Sequence, residues 1–150
     1  MTDIAQRPWR HRMEHVDTDA SGVVHFSRYA SLLETVVLDF LEASGAGLTA
    51  LTEHGLELVV TELRIKYMSP AQYFDVVFGC AVIDRVGGAQ FRSDVALYRE
   101  EADGARTALV TGSLAFGAVR GASGAPSALP TAVRNTLKGL VTDAERHASS

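Results

Sequence analysis

One long helical pattern near the N-terminus constrains the fold of this chain more than any other feature. Between residues 27 and 44, apolar side chains recur at the i, i+3, i+4 and i+7 spacing of an amphipathic helix. The stripe consists of Tyr29, Leu32, Leu33, Val36, Val37, Phe40 and Leu41. Because this stripe is too broad for a helix surrounded mainly by solvent, we expect the helix to lie across a sheet. Ser27 is the predicted N-cap and Gly45 the predicted C′ residue.

The remaining patterns are mostly those of strands. One strand is predicted before the helix, at residues 8–16, and four are predicted after it, at residues 56–67, 73–85, 90–100 and 106–119. Short turns separate these four strands, and the pair Gly87-Gly88 is typical of a hairpin. Successive hairpins produce an antiparallel sheet. The sequence therefore predicts an α+β domain in which a five-stranded antiparallel sheet wraps one long central helix.

The C-terminal part is expected to be attached to the same domain. Residues 120–127 are mostly Gly, Ala and Ser, as in a linker, and Pro130 is the predicted start of a short helix. A length of 150 residues suggests one domain. We therefore assign residues 1–119 to the main domain, and residues 120–150 to a linker and a short C-terminal helix that packs on it.

Composition excludes several classes of function. The net charge of -4 argues against a general nucleic-acid binder. A single cysteine, Cys80, excludes an intrachain disulfide and favours a reducing compartment. No apolar run approaches the roughly 18 residues that span a membrane, and the first residues lack the apolar core of a signal peptide. We expect a cytoplasmic protein without a membrane partner.

The segment that leads into the long helix carries the residues best suited to chemistry. It reads HVDTDASGVVHFSRY from His15 to Tyr29, an acidic loop with Gly22 followed by the start of the helix. Asp19 thus precedes a helix N-terminus, where backbone N–H groups lack intrahelical acceptors. We interpret this arrangement as a site that acts on a carbonyl group.

Two motifs resemble the hot-dog fold, and within it the 4-hydroxybenzoyl-CoA thioesterase-like family. The first is Asp17-Thr18-Asp19-Ala20-Ser21-Gly22-Val23-Val24-His25-Phe26 followed by Tyr29, similar to the family's D-x-D-x-x-G-x-[VI] segment and aromatic pair. The second is Tyr67-Met68-Ser69-Pro70-Ala71 followed by Asp75, similar to the family's turn between the second and third strands. Together they cover about residues 10–118, without the C-terminal helix.

The resemblance implies a thioesterase that hydrolyses an acyl group carried on coenzyme A or on an acyl carrier protein. It implies that Asp19 is the catalytic carboxylate and that the backbone N–H of Phe26 binds the carbonyl oxygen. A thioester is already activated, so a base or nucleophile and an oxyanion donor suffice for its hydrolysis. Whether Asp19 acts as base or as nucleophile stays open, and no cofactor is expected.

Other interpretations of these residues remain. Asp17 and Asp19 are also common turn formers, and we assign Asp17 a structural role in the loop. A metal site at Asp17, Asp19 and His25 is disfavoured because a matching cluster of ligands is lacking. His25 is a candidate for proton transfer, for lining the pocket or for a subunit interface. The predicted substrate-binding residues are Val24, Ser27, Tyr29, Val59, Val60 and Thr61.

The carrier, the acyl group and the assembly are less defined by the sequence. Candidates to hold the phosphates of coenzyme A are Arg28, Arg64, Lys66, Arg85, Arg92 and Arg120. The turn after Arg85 lacks the basic cluster of some coenzyme A-specific relatives, which keeps an acyl carrier protein open. Aromatic, medium-chain and polyketide acyl groups are all compatible. We expect a homodimer joined at sheet edges, or a homotetramer; a dehydratase and a non-catalytic acyl-binding protein are the competing hypotheses.

Overall fold

The computed structural model describes residues 9–148, except for the side chains of Phe26 and of residues 142–148. The five strands are β1 (Trp9–Arg12), β2 (Leu56–Tyr67), β3 (Val76–Val86), β4 (Gln90–Glu100) and β5 (Arg106–Arg120). The helices are α1 (Phe26–Ala43), α2 (Leu48–Thr52) and α3 (Thr131–Ala148), and a 3₁₀ turn covers His15–Asp17. All strand pairs are antiparallel, in the order β1-β3-β4-β5-β2. The predicted five-stranded sheet and long helix are confirmed.

Helix α1 lies across one face of the sheet, as its apolar stripe predicts. Leu33, Val37 and Leu41 are fully buried. The helix lies close to the sheet at a glycine, which has no side chain to hold the two elements apart. A Cβ added at Gly79 would lie 2.6 Å from Cγ2 of Val36, so a side chain there would push the helix away. Gly45, with a φ of 83°, follows the helix as the predicted C′ residue.

Two predicted strand boundaries are wrong because the chain makes other hydrogen bonds there. β1 ends at Arg12, since the N–H of Met13 donates to the carbonyl of Asp75 and a 3₁₀ turn follows. β3 begins at Val76 rather than at residue 73. In the preceding segment, Phe74 has a φ of 74°, outside the range of extended backbone. Both departures shape the loops that form the candidate site.

The C-terminal segment returns to the sheet. The N–H of Leu129 donates to the carbonyl of Gly88 in the β3–β4 hairpin, at 2.8 Å. Val133 and Leu137 of α3 are buried in the same hydrophobic core as the residues of α1, and α3 contacts β3. Within residues 9–148, no helix is long and apolar enough to cross a membrane.

Strand β2 forms one edge of the sheet and exposes apolar side chains along it. Its only neighbour in the sheet order is β5. Val59, Val60 and Leu63 are 40%, 37% and 39% exposed. A long edge strand with exposed apolar residues is a surface on which another strand can pair.

Candidate active site

The loop that carries Asp19 is closed by its own backbone. The N–H of Asp19 donates to the carbonyl of Val23 at 2.8 Å, and the N–H of Gly22 donates to the carbonyl of Asp19 at 3.0 Å. Gly22 has a φ of 85°, a conformation that glycine adopts without steric cost. Thr18 and Val24 form a β-bridge across the base of the loop. The turn thus projects Asp19 from a fixed backbone.

The carboxylate of Asp19 is exposed and is held on one oxygen only. Its Oδ1 accepts hydrogen bonds from the N–H of Ser21 (2.8 Å), from the hydroxyl of Ser21 (2.6 Å) and from the N–H of Val23 (3.3 Å). In the described part of the chain, no hydrogen bond involves Oδ2. The Ser21 hydroxyl and N–H hold the pKa of Asp19 below its usual value, and His25 adds a smaller electrostatic contribution. Asp19 therefore presents an ionised, oriented carboxylate with one oxygen available.

Asp17 has the opposite environment. It is fully buried, and its Oδ2 accepts hydrogen bonds from the N–H of Glu14 at 2.8 Å and from Nε2 of His11 at 2.9 Å. Its Oδ1 accepts from Nε of Arg28. Burial alone would raise the pKa of Asp17, but these donors together hold it below its usual value. With both oxygens engaged, Asp17 links β1, the 3₁₀ turn and the first turn of α1.

Helix α1 begins immediately after this loop. His25, not Ser27, occupies the N-cap position, so the predicted cap is wrong. The N–H of His25 donates to the carbonyl of Asp17 at 2.8 Å, and the side chain of His25 makes no cap hydrogen bond. Phe26 is the first helical residue, so its N–H has no acceptor within the helix. The positive end of the helix dipole therefore lies directly after the Asp19 loop.

The second motif of the sequence packs against the first. The N–H of Val24 donates to the carbonyl of Ala71 at 2.9 Å, and the N–H of Tyr73 donates to the carbonyl of Gly22 at 2.9 Å. The buried Tyr29 accepts a hydrogen bond from the N–H of Ala71. The chain thereby brings two segments about 50 residues apart in sequence into one surface.

Asp75 fixes the turn of this second motif. Its Oδ2 accepts from the N–H of Gln72 at 2.9 Å and from Nη1 of Arg99 at 3.2 Å. Nη1 of Arg99 also lies 3.4 Å from the carbonyl oxygen of Pro70. Arg99 of β4 therefore anchors both ends of the segment that follows β2.

A cleft of about 350 Å³ lies where the two motifs meet. Tyr29 and Tyr67 contact each other edge to face in its wall, with ring centroids 5.3 Å apart. The lining residues are Val23, Val24, Tyr29, Tyr67, Met68, Ser69 and Pro70. A cleft with mostly apolar walls and a few polar groups is suited to an acyl chain.

Comparison with known proteins decides the family. Residues 13–137 match the model of the thioesterase-like superfamily. The chain belongs to this superfamily. The match extends into α3, so the shared pattern reaches beyond the two motifs and includes part of the C-terminal helix. The resemblance to hot-dog thioesterases is confirmed.

Individual relatives agree with this assignment. A probable thioesterase from Bartonella henselae is 29% identical, with 83% of this chain and 98% of that chain covered and a TM-score of 0.72. A hypothetical protein from Thermus thermophilus is 24% identical, with 89% and 96% covered and a TM-score of 0.78, which shows the fold alone. A putative esterase from Aquifex aeolicus is 34% identical over 68 residues, 45% of this chain and 53% of that protein. That match spans about half the length of the relative.

The structure collects some of the predicted site residues and separates others. Val24 and Tyr29 line the cleft. His25, just before α1, and Ser27, in its first turn, are exposed and lie outside this lining. Val59, Val60 and Thr61 are exposed in the first half of β2, outside the lining of the cleft, which takes Tyr67 from the other end of that strand. Within the described residues, no group of three or more His, Cys, Asp and Glu side chains is placed to hold a metal.

Sequence reasoning missed Tyr67, Met68, Ser69 and Pro70 as lining residues. The signal was present, because the motif around Pro70 interrupts a strand pattern and resembles the family's turn.

Three of the residues predicted to hold the phosphates of coenzyme A already pair with carboxylates of the protein. Arg28 pairs with Asp17, and both Arg64 and Arg92 pair with Glu62.

Proposed function

We propose that this protein hydrolyses an acyl thioester to a free carboxylic acid and a thiol. The observation that carries the proposal is the carboxylate of Asp19, which is held through Oδ1 while Oδ2 takes part in no hydrogen bond of the described residues. Membership of the thioesterase-like superfamily supports the class of reaction. The adjoining cleft supports an apolar acyl group.

In the proposed mechanism, the thioester carbonyl lies between Asp19 and the start of α1. Oδ2 of Asp19 accepts a proton from the water molecule that attacks the carbonyl carbon, or attacks that carbon itself to form a mixed anhydride. The N–H of Phe26 donates to the carbonyl oxygen as negative charge develops on it. A donor of this kind commonly lowers the activation free energy by about 3–4 kcal/mol. The thiolate of the carrier then leaves and takes up a proton. In the anhydride route, a water molecule then hydrolyses the mixed anhydride, which frees the carboxylic acid and restores Asp19.

The neighbouring side chains have supporting roles in this proposal. His25 lies close enough to lower the pKa of Asp19 electrostatically, and we assign it to proton transfer at the mouth of the site. Val24 and Tyr29 hold the first part of the acyl group, and Ser27 faces the carrier side. Burial raises the pKa of Tyr29, so its hydroxyl keeps its proton at neutral pH.

We further propose a homodimer joined through β2. Its exposed apolar edge supports this assembly, and a two-fold axis pairs identical surfaces. Antiparallel pairing of two β2 strands sets the first half of one beside the second half of the other. Val59, Val60 and Thr61 of one protomer would then lie near Tyr67 of its partner and complete the cleft. We expect light scattering to give a dimer or a tetramer, and Leu63→Lys to weaken it.

The reaction is tested by release of free thiol. The panel contains acyl-coenzyme A esters, one acyl carrier protein thioester and an acyl N-acetylcysteamine thioester, with benzoyl and octanoyl groups on each. We expect thiol and carboxylic acid to form in equal amounts. Acyl binding without thiol release would favour a binding protein. Hydration or dehydration of an enoyl or 3-hydroxyacyl thioester, with the thioester intact, would favour a dehydratase.

A further inference from the structure

The outer face of the sheet carries a band of arginines and aromatic rings. We call it the basic face and define it as Arg10, Arg12, Phe74, Phe78, Tyr98 and Arg106. Phe78 and Tyr98 stack with centroids 5.7 Å apart, and the guanidinium of Arg106 lies 4.5 Å above the ring of Tyr98. Arg10 is opposite Phe78 in the β1–β3 register, so the band crosses four neighbouring strands.

Two arginines of the basic face have no ion-pair partner in the part of the chain that the structure describes. The side chains of Arg10 and Arg12 are exposed, and no ion pair or hydrogen bond within the described residues involves them. Several carboxylates on the surrounding elements have other partners. Asp75 and Glu101 both pair with Arg99, and Asp39 accepts from the indole N–H of Trp9. Glu100 is 4.0 Å from Arg106. Exposed positive charge therefore persists in a protein whose net charge is -4.

The basic face is continuous with the candidate active site. The guanidinium of Arg12 lies 5.2 Å from the ring centroid of Phe74. The N–H of Phe74 donates to the carbonyl of Met13, and the neighbouring Tyr73 donates to the carbonyl of Gly22 in the Asp19 loop. Phe74 is 58% exposed and has a positive φ, a conformation that is uncommon for a residue with a bulky side chain. The fold thus holds an exposed ring between Arg12 and the loop of Asp19.

The dimensions of the band distinguish between classes of anion. Arg10 and Arg12 are about 7 Å apart along β1, because two strand residues span that distance. Arg10 and Arg106 are three strand spacings apart across the sheet and two residues apart along the strands, which together give about 16 Å. Carboxylates one turn apart on a helix are separated by about 5.4 Å, and successive turns extend over this distance. The spread of charge suits a row of acidic side chains on a protein better than a single phosphate.

We propose that the basic face docks an acidic carrier protein that presents the acyl group as a thioester on a flexible arm. This inference rests on the proposed thioesterase function and selects the carrier protein over coenzyme A. Such docking through exposed charges chiefly accelerates association and depends on ionic strength. Phe74, which is 58% exposed, supplies apolar contact area beside Arg12.

The test compares Arg10→Glu and the double variant Arg10→Glu/Arg12→Glu with the control Lys138→Glu, which reverses one exposed charge on α3. The substrates carry one acyl group on an acyl carrier protein, on coenzyme A and on N-acetylcysteamine. We expect Arg10→Glu to raise KM for the carrier thioester by about tenfold at low salt, with kcat unchanged. In Arg10→Glu, the KM for the N-acetylcysteamine thioester should stay within about twofold of the wild-type value, and Lys138→Glu should resemble the wild type.

Three results would overturn the docking proposal. The first is an unchanged KM of Arg10→Glu for the carrier thioester. The second is an equal rise in its KM for acyl-coenzyme A, which would indicate a phosphate site. The third is a change in its oligomeric state. Binding of the unacylated carrier protein, followed by calorimetry, separates this proposal from the proposed function. Binding that Arg10→Glu abolishes, without hydrolysis of any thioester, would support docking and refute the thioesterase activity.

Discussion

The hydroxyl oxygen of Tyr29 accepts a hydrogen bond from the backbone N–H of Ala71, 42 residues further along the chain, at 3.0 Å. This bond joins α1 to the segment between β2 and β3. It also aligns the two sequence motifs, because Val24, in the first motif, donates to the carbonyl of the same Ala71. Tyr29 therefore fixes one wall of the cleft.

Removing this hydroxyl should destabilise the protein. Tyr29→Phe leaves the N–H of Ala71 without its partner in a buried position, at a cost of about 1–3 kcal/mol in the free energy of unfolding. Urea denaturation measures the change. Tyr73→Phe is the matched control, since Tyr73 is 41% exposed and its change should stay within about 0.5 kcal/mol. Equal stabilities of the two variants would contradict the role assigned to Tyr29.

Neutralising Asp17 should loosen the loop from β1 and α1. Asp17→Asn removes the charge that compensates Arg28 and weakens the acceptor of the His11 hydrogen bond. We expect a loss of about 2 kcal/mol, below the roughly 3–5 kcal/mol typical of a buried pair, because the Arg28 side chain is 36% exposed. Asp84→Asn, at an exposed aspartate, is the control. An Asp17→Asn variant as stable as that control would show that the buried carboxylate contributes nothing.

The contribution of Asp17 should also disappear in acid. Its pKa is lowered in the folded state, so its stabilisation is complete above the ordinary aspartate pKa of about 3.9 and is lost as pH falls through the lower, folded value. The difference in unfolding free energy between wild type and Asp17→Asn should therefore have its full value at about pH 5 and above and should shrink below about pH 4. Urea titrations at several pH values measure it, and a difference that grows in acid would refute the assignment.

The backbone conformation at Phe74 makes a separate prediction. Phe74→Gly and Phe74→Ala both remove the ring and its contact with Arg12, but only alanine keeps a Cβ at a φ of 74°. The glycine variant should be more stable than the alanine variant by about 1 kcal/mol. At Tyr73, which lacks a positive φ, the order of the same two variants should be reversed. Thermal unfolding of the four variants tests both expectations.

Periodicity in the sequence was sufficient for the main elements. The stripe of α1 and the alternation in β4 reflect which faces are buried, a property that each segment carries locally. The predicted start of α1 was wrong for a separate reason. The backbone of His25 bonds to the carbonyl of Asp17, and this contact, rather than the hydroxyl of Ser27, sets where the helix begins.

The candidate site was predictable only in part. The first motif contains Asp19, Val24, His25 and Phe26 within eight residues, so local sequence places them together. The lining by Tyr67 and Met68 depends on the hydrogen bonds that join residues 22–24 to residues 71–73. The charge partners of Asp17 come from β1 and α1 and follow from packing, which residue spacing does not encode.

The most direct test of the central claim is the rate of thiol release by Asp19→Asn beside Asp103→Asn. Both aspartates accept a hydrogen bond at Oδ1 from the N–H two residues later, Ser21 in one case and Ala105 in the other. Asparagine keeps this bond and removes the charge. Our account predicts that Asp19→Asn lowers kcat by about 10²–10⁴-fold, as loss of a general base does, while Asp103→Asn stays within about twofold of wild type. A rate in Asp19→Asn that matches the control would show that Asp19 only forms the turn, and would contradict the account.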